Sequence, residues 1–147
     1  MIEIEVTQKI PAPPAEVWAV YTDHAAFWSF MGRAEIERVG EDDPNGSGCI
    51  RVLGPGRFAA REEILDFDPP KRLTYAVLPG GPPLKNHLGE VLFEEEAGGT
   101  RIVWRARFES RIPGLGFILR IVVQRVFARA LTHLESLFEA STESKTA

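Results

Sequence analysis

The sequence predicts an α+β fold, in which a curved antiparallel sheet of seven strands is covered by one long C-terminal helix. Three observations predict it. Apolar and polar residues alternate along residues 2–10, which is typical of a strand with one buried face. Short strand-like runs between turn residues fill the middle of the chain. From Leu115 to Ala140, apolar residues recur at helical spacing.

Length and composition limit the possible classes of protein. The 147 residues suit a single domain, which we expect to span residues 1–140, followed by a polar tail over residues 141–147. A net charge of −4 argues against a nucleic-acid partner. One cysteine excludes an internal disulfide. No apolar run approaches a transmembrane segment, and the N-terminus is unlike a signal peptide, so we expect a cytoplasmic protein.

The N-terminal elements follow from proline and capping signals. The first strand ends at the prolines that follow Ile10. Pro14 suits the first turn of a short helix, where its missing N–H costs nothing. Asp23 is the expected N-cap of a second short helix, which continues to Phe30.

The middle of the chain is rich in strands. Turn chemistry is dense around Asp42–Gly48, Gly54–Gly56 and Pro79–Pro83. Between these turns and up to the last helix we predict six further strands, at residues 34–39, 49–53, 58–67, 73–78, 87–94 and 100–109.

The C-terminal helix is the only element large enough to cover the sheet, which gives a helix-grip arrangement with space for a cavity. Its first half is apolar almost all round, more than one sheet requires. The surplus could face a partner subunit, a membrane surface or a cavity. We favour a cavity combined with a homodimer contact.

Three motifs resemble one known group of proteins, and together they cover about residues 1–140. They are Pro11–Trp18 with Thr22 and Asp23, Asp66–Tyr75, and Gly99–Trp104. The chain resembles the START-like (SRPBCC) superfamily, in its polyketide cyclase/dehydrase and lipid-transport branch, which includes the birch-pollen-allergen (Bet v 1-like) fold. The resemblance implies the helix-grip fold and binding of a small hydrophobic molecule, but the superfamily hosts several functions.

The stretch Tyr75–Gly89 is also similar to the plant abscisic-acid receptors of this superfamily. Gly80 and Gly81 match their glycine loop, whereas prolines replace the receptor's latch residues. The receptor lysine that anchors the hormone aligns with Trp28, so we do not expect hormone binding. The similarity implies a pocket mouth at residues 54–57 and 79–84.

Two residues are candidates for catalysis as well as for ligand binding. Strand alternation directs Glu62 inward, and a carboxyl group among apolar neighbours suits a general acid or base. His87 is also directed inward, and an imidazole can transfer a proton or orient a polar group. Tyr75 offers a hydroxyl on an aromatic ring, unless it is a core residue.

The remaining predicted pocket residues are mostly apolar. His24 and His133 are expected to be structural or exposed, and with His87 they have no metal-ligand spacing, so we predict neither a metal nor a cofactor. Cys49 is expected to be a small buried residue. The full set predicted to bind ligand is Trp28, Phe30, Ala60, Glu62, Tyr75, Val77, Leu84, His87, Gly89, Trp104, Phe108 and Phe127.

The favoured function is non-covalent binding of a small hydrophobic molecule, such as a lipid, a polyketide or an isoprenoid-like compound, between the sheet and the last helix. One alternative is a cofactor-independent cyclase, aromatase or dehydratase that uses Glu62 or His87. Another is a regulatory or interaction module with the same fold. A catalyst needs an acid and a base that converge, whereas a carrier needs volume and a mobile mouth.

Overall fold

A computed structural model describes the backbone of residues 1–146 and the side chains of residues 1–139. The helices are α1 (Pro14–Tyr21), α2 (His24–Phe27) and α3 (Gly116–Thr146), with 3₁₀ turns at Trp28–Met31 and Gly56–Phe58. The strands are β1 (Ile2–Ile10), β2 (Arg33–Arg38), β3 (Ile50–Gly54), β4 (Ala60–Asp68), β5 (Arg72–Val77), β6 (Leu84–Glu96) and β7 (Gly99–Ser110).

The seven strands form one antiparallel sheet in the order β1-β7-β6-β5-β4-β3-β2. All connections after β2 are therefore local, and the first strand closes onto the last one. Val6 of β1 pairs with Trp104 of β7, which pairs in turn with Val91 of β6. This register places the alternating apolar residues of β1, β6 and β7 in common rows on the inner face.

Helix α3 covers the inner face from one side. It packs chiefly on β1 and to a smaller extent on β7. The Phe127 ring stacks on Trp104 with centroids 4.2 Å apart, so Trp104 faces the helix. Gln8 of β1 donates a hydrogen bond to the Glu135 carboxylate of α3. The helix thus grips the β1–β7 side of the sheet.

Helices α1 and α2 close one end of the core with aromatic rings. Trp18 packs against Phe67 and Phe93 with centroids 5.1 and 5.0 Å away. Tyr21 stands perpendicular to Trp104, 5.7 Å away. Edge-to-face contacts of this kind stabilise a core beyond their burial. The aromatic residues of the sequence therefore fill much of the interior near α1 and α2.

The predicted elements are confirmed, with changes at their ends. The second helix is α2 followed by a 3₁₀ turn, and Asp23 occupies the N-cap position without a side-chain capping bond. Strand β6 begins at Leu84, earlier than predicted, because it pairs with the end of β7 across an irregularity. Helix α3 continues to Thr146. The polar-tail prediction for residues 141–147 concerns side chains outside the described ones.

Strand β3 is buried on both faces. On the outer face, the Arg38 guanidinium lies 3.4 Å from the Glu63 carboxylate across Ile50, which pairs with both residues in the register. A second ion pair joins Arg61 to Glu37 at 2.6 Å, beside Val52. Ion pairs between β2 and β4 therefore shield the outer side chains of the short strand between them.

Candidate functional site

The inner face of β3 carries a fully buried arginine. Arg51 shares this face with Cys49 and Leu53, and its side chain is 0% exposed. Its partner in the register is Glu62 of β4, which pairs on its other side with Val77 of β5. Because charged side chains are almost never fully buried without a partner, this row of the sheet is the first place to look for a function.

The Arg51 guanidinium is held from several sides. Its Nε donates to Glu62 Oε1 at 2.9 Å, and Nη2 lies 2.8 Å from the same oxygen without hydrogen-bond alignment. The plane lies over the Tyr75 ring at 4.9 Å and the Trp28 ring at 5.6 Å. Burial alone would lower the pKa of Arg51, but the charge and hydrogen bond of Glu62, together with Tyr21 and Tyr75, outweigh burial and raise it. The cation is therefore permanent.

His24 accepts a further hydrogen bond from this cation. Its Nε2–H donates to the Asn45 carbonyl at 2.9 Å, which leaves the Nδ1 lone pair to accept from Arg51 Nη1 at 3.1 Å. Burial and the Arg51 charge lower the pKa of His24 to about 3. The prediction of a structural His24 agrees with this position, whereas exposure does not.

Three buried hydrogen-bond donors around the guanidinium have no aligned acceptor among the described residues. They are the Tyr21 hydroxyl, the Trp28 indole N–H and Arg51 Nη2. The Tyr21 and Trp28 rings are 6.5 Å apart, and Arg51 acts on Tyr21 through its charge and a side-chain hydrogen bond. Because arginine can only donate, the Tyr21 oxygen is the acceptor of that contact and its own O–H proton is left without an acceptor. Burial raises the pKa of Tyr21 to about 12, so the hydroxyl keeps its proton. A cluster of unpaired donors is suited to a ligand or water oxygen that only accepts.

Tyr75 is fully engaged at the centre of the sheet. Its hydroxyl accepts a hydrogen bond from the Trp104 indole N–H at 2.8 Å. Burial raises the pKa of Tyr75 well above its ordinary value. Gly89 makes room for the ring, because a Cβ at that position would lie 2.3 Å from Tyr75 Cζ. Tyr75 and Trp104 therefore form a rigid platform beneath Arg51.

His87 lies near the opposite end of the same row. Its Nδ1 accepts the Val77 backbone N–H at 3.2 Å, which leaves the proton of the neutral ring on Nε2. The ring lies between Tyr75 and Phe108. Burial and the charge of Arg51 lower the pKa of His87 to about 4. At neutral pH His87 is thus an uncharged donor rather than an acid.

The predicted pocket residues fall into two groups. Six are buried: Trp28, Tyr75, Gly89, Trp104, Phe108 and Phe127. The others are half-buried: Phe30, Ala60, Glu62, Val77, Leu84 and His87. Of the half-buried group, Phe30 lies at the α3 side, with its ring 4.3 Å from that of His133 and 6.0 Å from that of Trp28 between centroids. The rest belong to β4, β5 and β6 near the two loops predicted as the mouth.

Arg51 and Tyr21 are not among the residues that the sequence predicts to bind ligand. Arg51 sits in an apolar run whose outer face is also buried, so alternation did not reveal it. A usable signal was its shared parity with Cys49 and Leu53, which assigns it to the inner face. Nothing in the local sequence of Tyr21 indicates that its hydroxyl proton lacks an acceptor.

Two other kinds of site find no support here. Within residues 1–139, no group of three or more His, Cys, Asp or Glu side chains is placed to hold a metal ion. An open groove of about 540 Å³ lies on the outer face of the sheet, lined mainly by charged side chains of β1, β5, β6 and β7. Its arginines are largely occupied by ion pairs, such as Arg105 with Glu5 at 2.9 Å.

Comparison with known proteins agrees with this architecture. The model of the family described as "Polyketide cyclase / dehydrase and lipid transport" matches residues 1–139. The chain belongs to this family. No curated protein matches the chain significantly. Among the described residues, no helix has both the length and the apolar character that a membrane span needs.

Solved structures show that the family's fold is the birch-pollen-allergen-like helix grip. A Thermobifida fusca protein solved by NMR is 23% identical with a TM-score of 0.77, covering 94% of this chain and 93% of that one. Ara h 8.0201 is 16% identical with a TM-score of 0.76, covering 95% and 98%. CalU16 from Micromonospora echinospora is 22% identical with a TM-score of 0.68, covering 92% and 73%. At these identities the likeness concerns the fold alone.

Proposed function

We propose that the chain binds a small, mostly apolar molecule between the sheet and α3, and that one oxygen of this molecule accepts hydrogen bonds beside Arg51. The observation that carries the proposal is the pair of buried donors without an acceptor on Tyr21 and Trp28, beside an Arg51 Nη2 that is ion-paired with Glu62 but not hydrogen-bonded. Leaving such groups unsatisfied costs about 1–3 kcal/mol each, which a ligand acceptor would recover. The family description, which includes lipid transport, supports an apolar ligand.

The charge balance indicates which acceptor fits. Glu62 already neutralises Arg51, since both Nε and Nη2 lie within 3 Å of its Oε1. A ligand carboxylate would therefore add a net negative charge in a buried place, at a large desolvation cost. A neutral carbonyl, ether or hydroxyl oxygen accepts from the same donors without that cost. The proposed ligand class is thus a neutral oxygenated hydrocarbon.

The route to the donors would pass between the two loops that flank the half-buried side chains. Ala60, Val77, Leu84 and His87 are only half-buried. Helix α3 packs mainly on β1, at the other end of the sheet order from β3 and β4. This asymmetry supports entry over the β4–β6 side, with the apolar part of the ligand on these side chains and its oxygen deeper, near Tyr21.

The enzymatic alternative has weaker support. Burial and the Arg51 charge lower the pKa of His87 to about 4, so at neutral pH it is a weak base and not an acid. The Glu62 carboxylate is engaged with Arg51. The two residues flank Val77, but no hydrogen bond joins them in the described part of the chain. The homodimer and the cytoplasmic location stay predictions.

A pair of fluorescent probes tests the proposal. Acetyl-dimethylaminonaphthalene carries a ketone oxygen, whereas N-phenylnaphthylamine is of similar size and lacks one. We expect both to bind, the ketone more tightly. Tyr21→Phe should weaken ketone binding about fivefold, which corresponds to one hydrogen bond, and leave the other probe unchanged. Titration monitored by probe emission measures both affinities.

Thr22→Val is the matched control, since it removes another buried hydroxyl at the end of α1, one that already donates to the Trp18 carbonyl at 2.7 Å. It should not affect the preference for the ketone. Failure of both probes to bind would overturn the proposed function. Equal binding of the two probes to wild type and to Tyr21→Phe would leave apolar binding in place but refute the oxygen anchor.

A further inference from the structure

One end of α3 presents a row of apolar side chains to solvent. Phe117 is 74% exposed, Ile118 53% and Val122 50%, and Ile121 lies on the same side. At about 100° per residue these four positions share a face of roughly 140°. Ile112, in the segment before the helix, is also exposed. We call these five residues, with Arg111, Arg120 and Arg125, the arginine-flanked patch.

The charge of this region is opposite to that of the whole protein. The chain carries a net charge of −4, yet no acidic residue occurs between Glu109 and Glu135, an interval that contains four arginines. Arg125 follows Ile121 by one helical turn, so it extends the apolar face with a cation. Arg111, Arg120 and Arg125 are all exposed. A partner of this surface must therefore be both apolar and anionic.

The patch adjoins the two loops that form the predicted mouth of the pocket. The Arg111 backbone N–H donates to the Pro83 carbonyl at 2.8 Å, which joins the start of the patch to the 79–83 loop. The 79–83 loop contacts the segment that follows the Gly56–Phe58 turn, because a Cβ on Gly81 would lie 2.6 Å from the Ala59 carbonyl oxygen. Beside Ala59, Phe58 is 64% exposed, with the Arg57 guanidinium 5.4 Å from its ring centroid.

We propose that the arginine-flanked patch docks the protein on an anionic membrane surface. Aliphatic and aromatic side chains flanked by arginines are the pattern of helices that lie in the membrane interface. A symmetric contact with a second copy would bring six patch arginines together without a carboxylate from either segment, which opposes dimerisation. A protein with an acidic, apolar surface would also be anionic and apolar, but it would need a groove that matches a convex helix face and two adjoining loops. A lipid surface accommodates that shape without a matching groove.

The inference depends on the surface alone and not on the site beside Arg51, so either can fail without the other. Together they would let an apolar ligand pass between the bilayer and the protein at the end where the two loops and α3 adjoin.

Vesicle flotation tests the docking directly. We expect binding to vesicles containing 30% phosphatidylserine in phosphatidylcholine, and little binding to phosphatidylcholine alone. Arg120→Gln with Arg125→Gln should weaken binding about fivefold per residue, and Phe117→Ser with Ile121→Ser by roughly tenfold. High salt should weaken wild-type binding, because the attraction is screened over about 8 Å at physiological ionic strength.

Arg101→Gln and Val39→Ser serve as matched controls, because both residues are exposed and lie outside the patch. They should bind like wild type, and circular dichroism should show all variants folded. No binding to the anionic vesicles, or equal loss in the control variants, would overturn the proposal. A dimer in light scattering that Ile118→Ser converts to a monomer would assign the patch to a second copy instead.

Discussion

Both faces of the sheet carry an ion pair between an arginine and a glutamate, but the two pairs differ in their exposure to water. On the outer face, Arg105 contacts Glu5 at 2.9 Å with both side chains about half exposed, at 52% and 53%. On the inner face, Arg51 contacts Glu62 at 2.8 Å with the arginine at 0% and the glutamate at 14% exposure. Water competes for the outer pair but not for the inner one. Similar distances therefore correspond to very different costs of disruption.

Breaking the inner pair should produce the largest effect. Arg51→Met keeps much of the apolar volume but leaves Glu62 without its cation, so we expect a loss of about 3–5 kcal/mol in the free energy of unfolding. Urea denaturation measures it. The double variant Arg51→Met with Glu62→Leu should recover most of the loss. If Arg51→Met alone lost less than about 1 kcal/mol in the free energy of unfolding, the inner pair would be no more important than an exposed one.

Acid should weaken the inner face selectively, through the buried histidines. Burial and the Arg51 charge lower the pKa of His24 from 6.5 to about 3, so its neutral form is favoured in the folded state. The unfolded chain takes up the proton first as pH falls. The contribution of His24 to the free energy of unfolding is thus fully present above about pH 6.5 and decreases toward pH 3. At pH 5 we expect a loss of about 2 kcal/mol from this residue.

His87 adds a similar loss over a shorter range, because burial and Arg51 lower its pKa to about 4. Unfolding curves at several pH values measure the sum. His24→Asn should remove roughly half of the decrease between pH 7 and pH 5. An unchanged pH dependence in that variant would mean that His24 takes up its proton as readily in the folded protein as in the unfolded chain.

The outer pair should give the smallest effect. Arg105→Ala removes the contacts to Glu5 and Glu90, but all three side chains reach water, so we expect a change below about 1 kcal/mol in the free energy of unfolding. Thermal unfolding in low and high salt measures it, and salt should reduce the difference further. A loss comparable to that of Arg51→Met would remove the distinction between the faces.

The same contrast explains what the sequence could predict. Along β7, Ile102, Trp104 and Ala106 alternate with three exposed arginines and one buried residue, Val103, so a mainly dry and a mainly wet face are visible from the periodicity. The strand and helix order followed from such patterns and from proline and glycine at the turns. These signals are local, and they sufficed for the fold.

The site could be predicted only in part, because its key contact is not local. Glu62 was expected on the inner face from alternation, and it lies there. Its partner, Arg51, became recognisable only through the register between β3 and β4, which depends on how the intervening loop folds. The unpaired donor of Tyr21 depends on the packing of α1 against β7, which no spacing in the sequence encodes.

Gly89 carries a consequence for the evolution of this interior. The Tyr75 ring occupies the space that a side chain at position 89 would need. A mutation at either position therefore changes which residues the other tolerates: a bulkier residue at 89 becomes acceptable only after the ring at 75 is lost. The hydroxyl that accepts from Trp104 would disappear in the same step. Related chains should thus vary at these positions jointly, along few permitted paths.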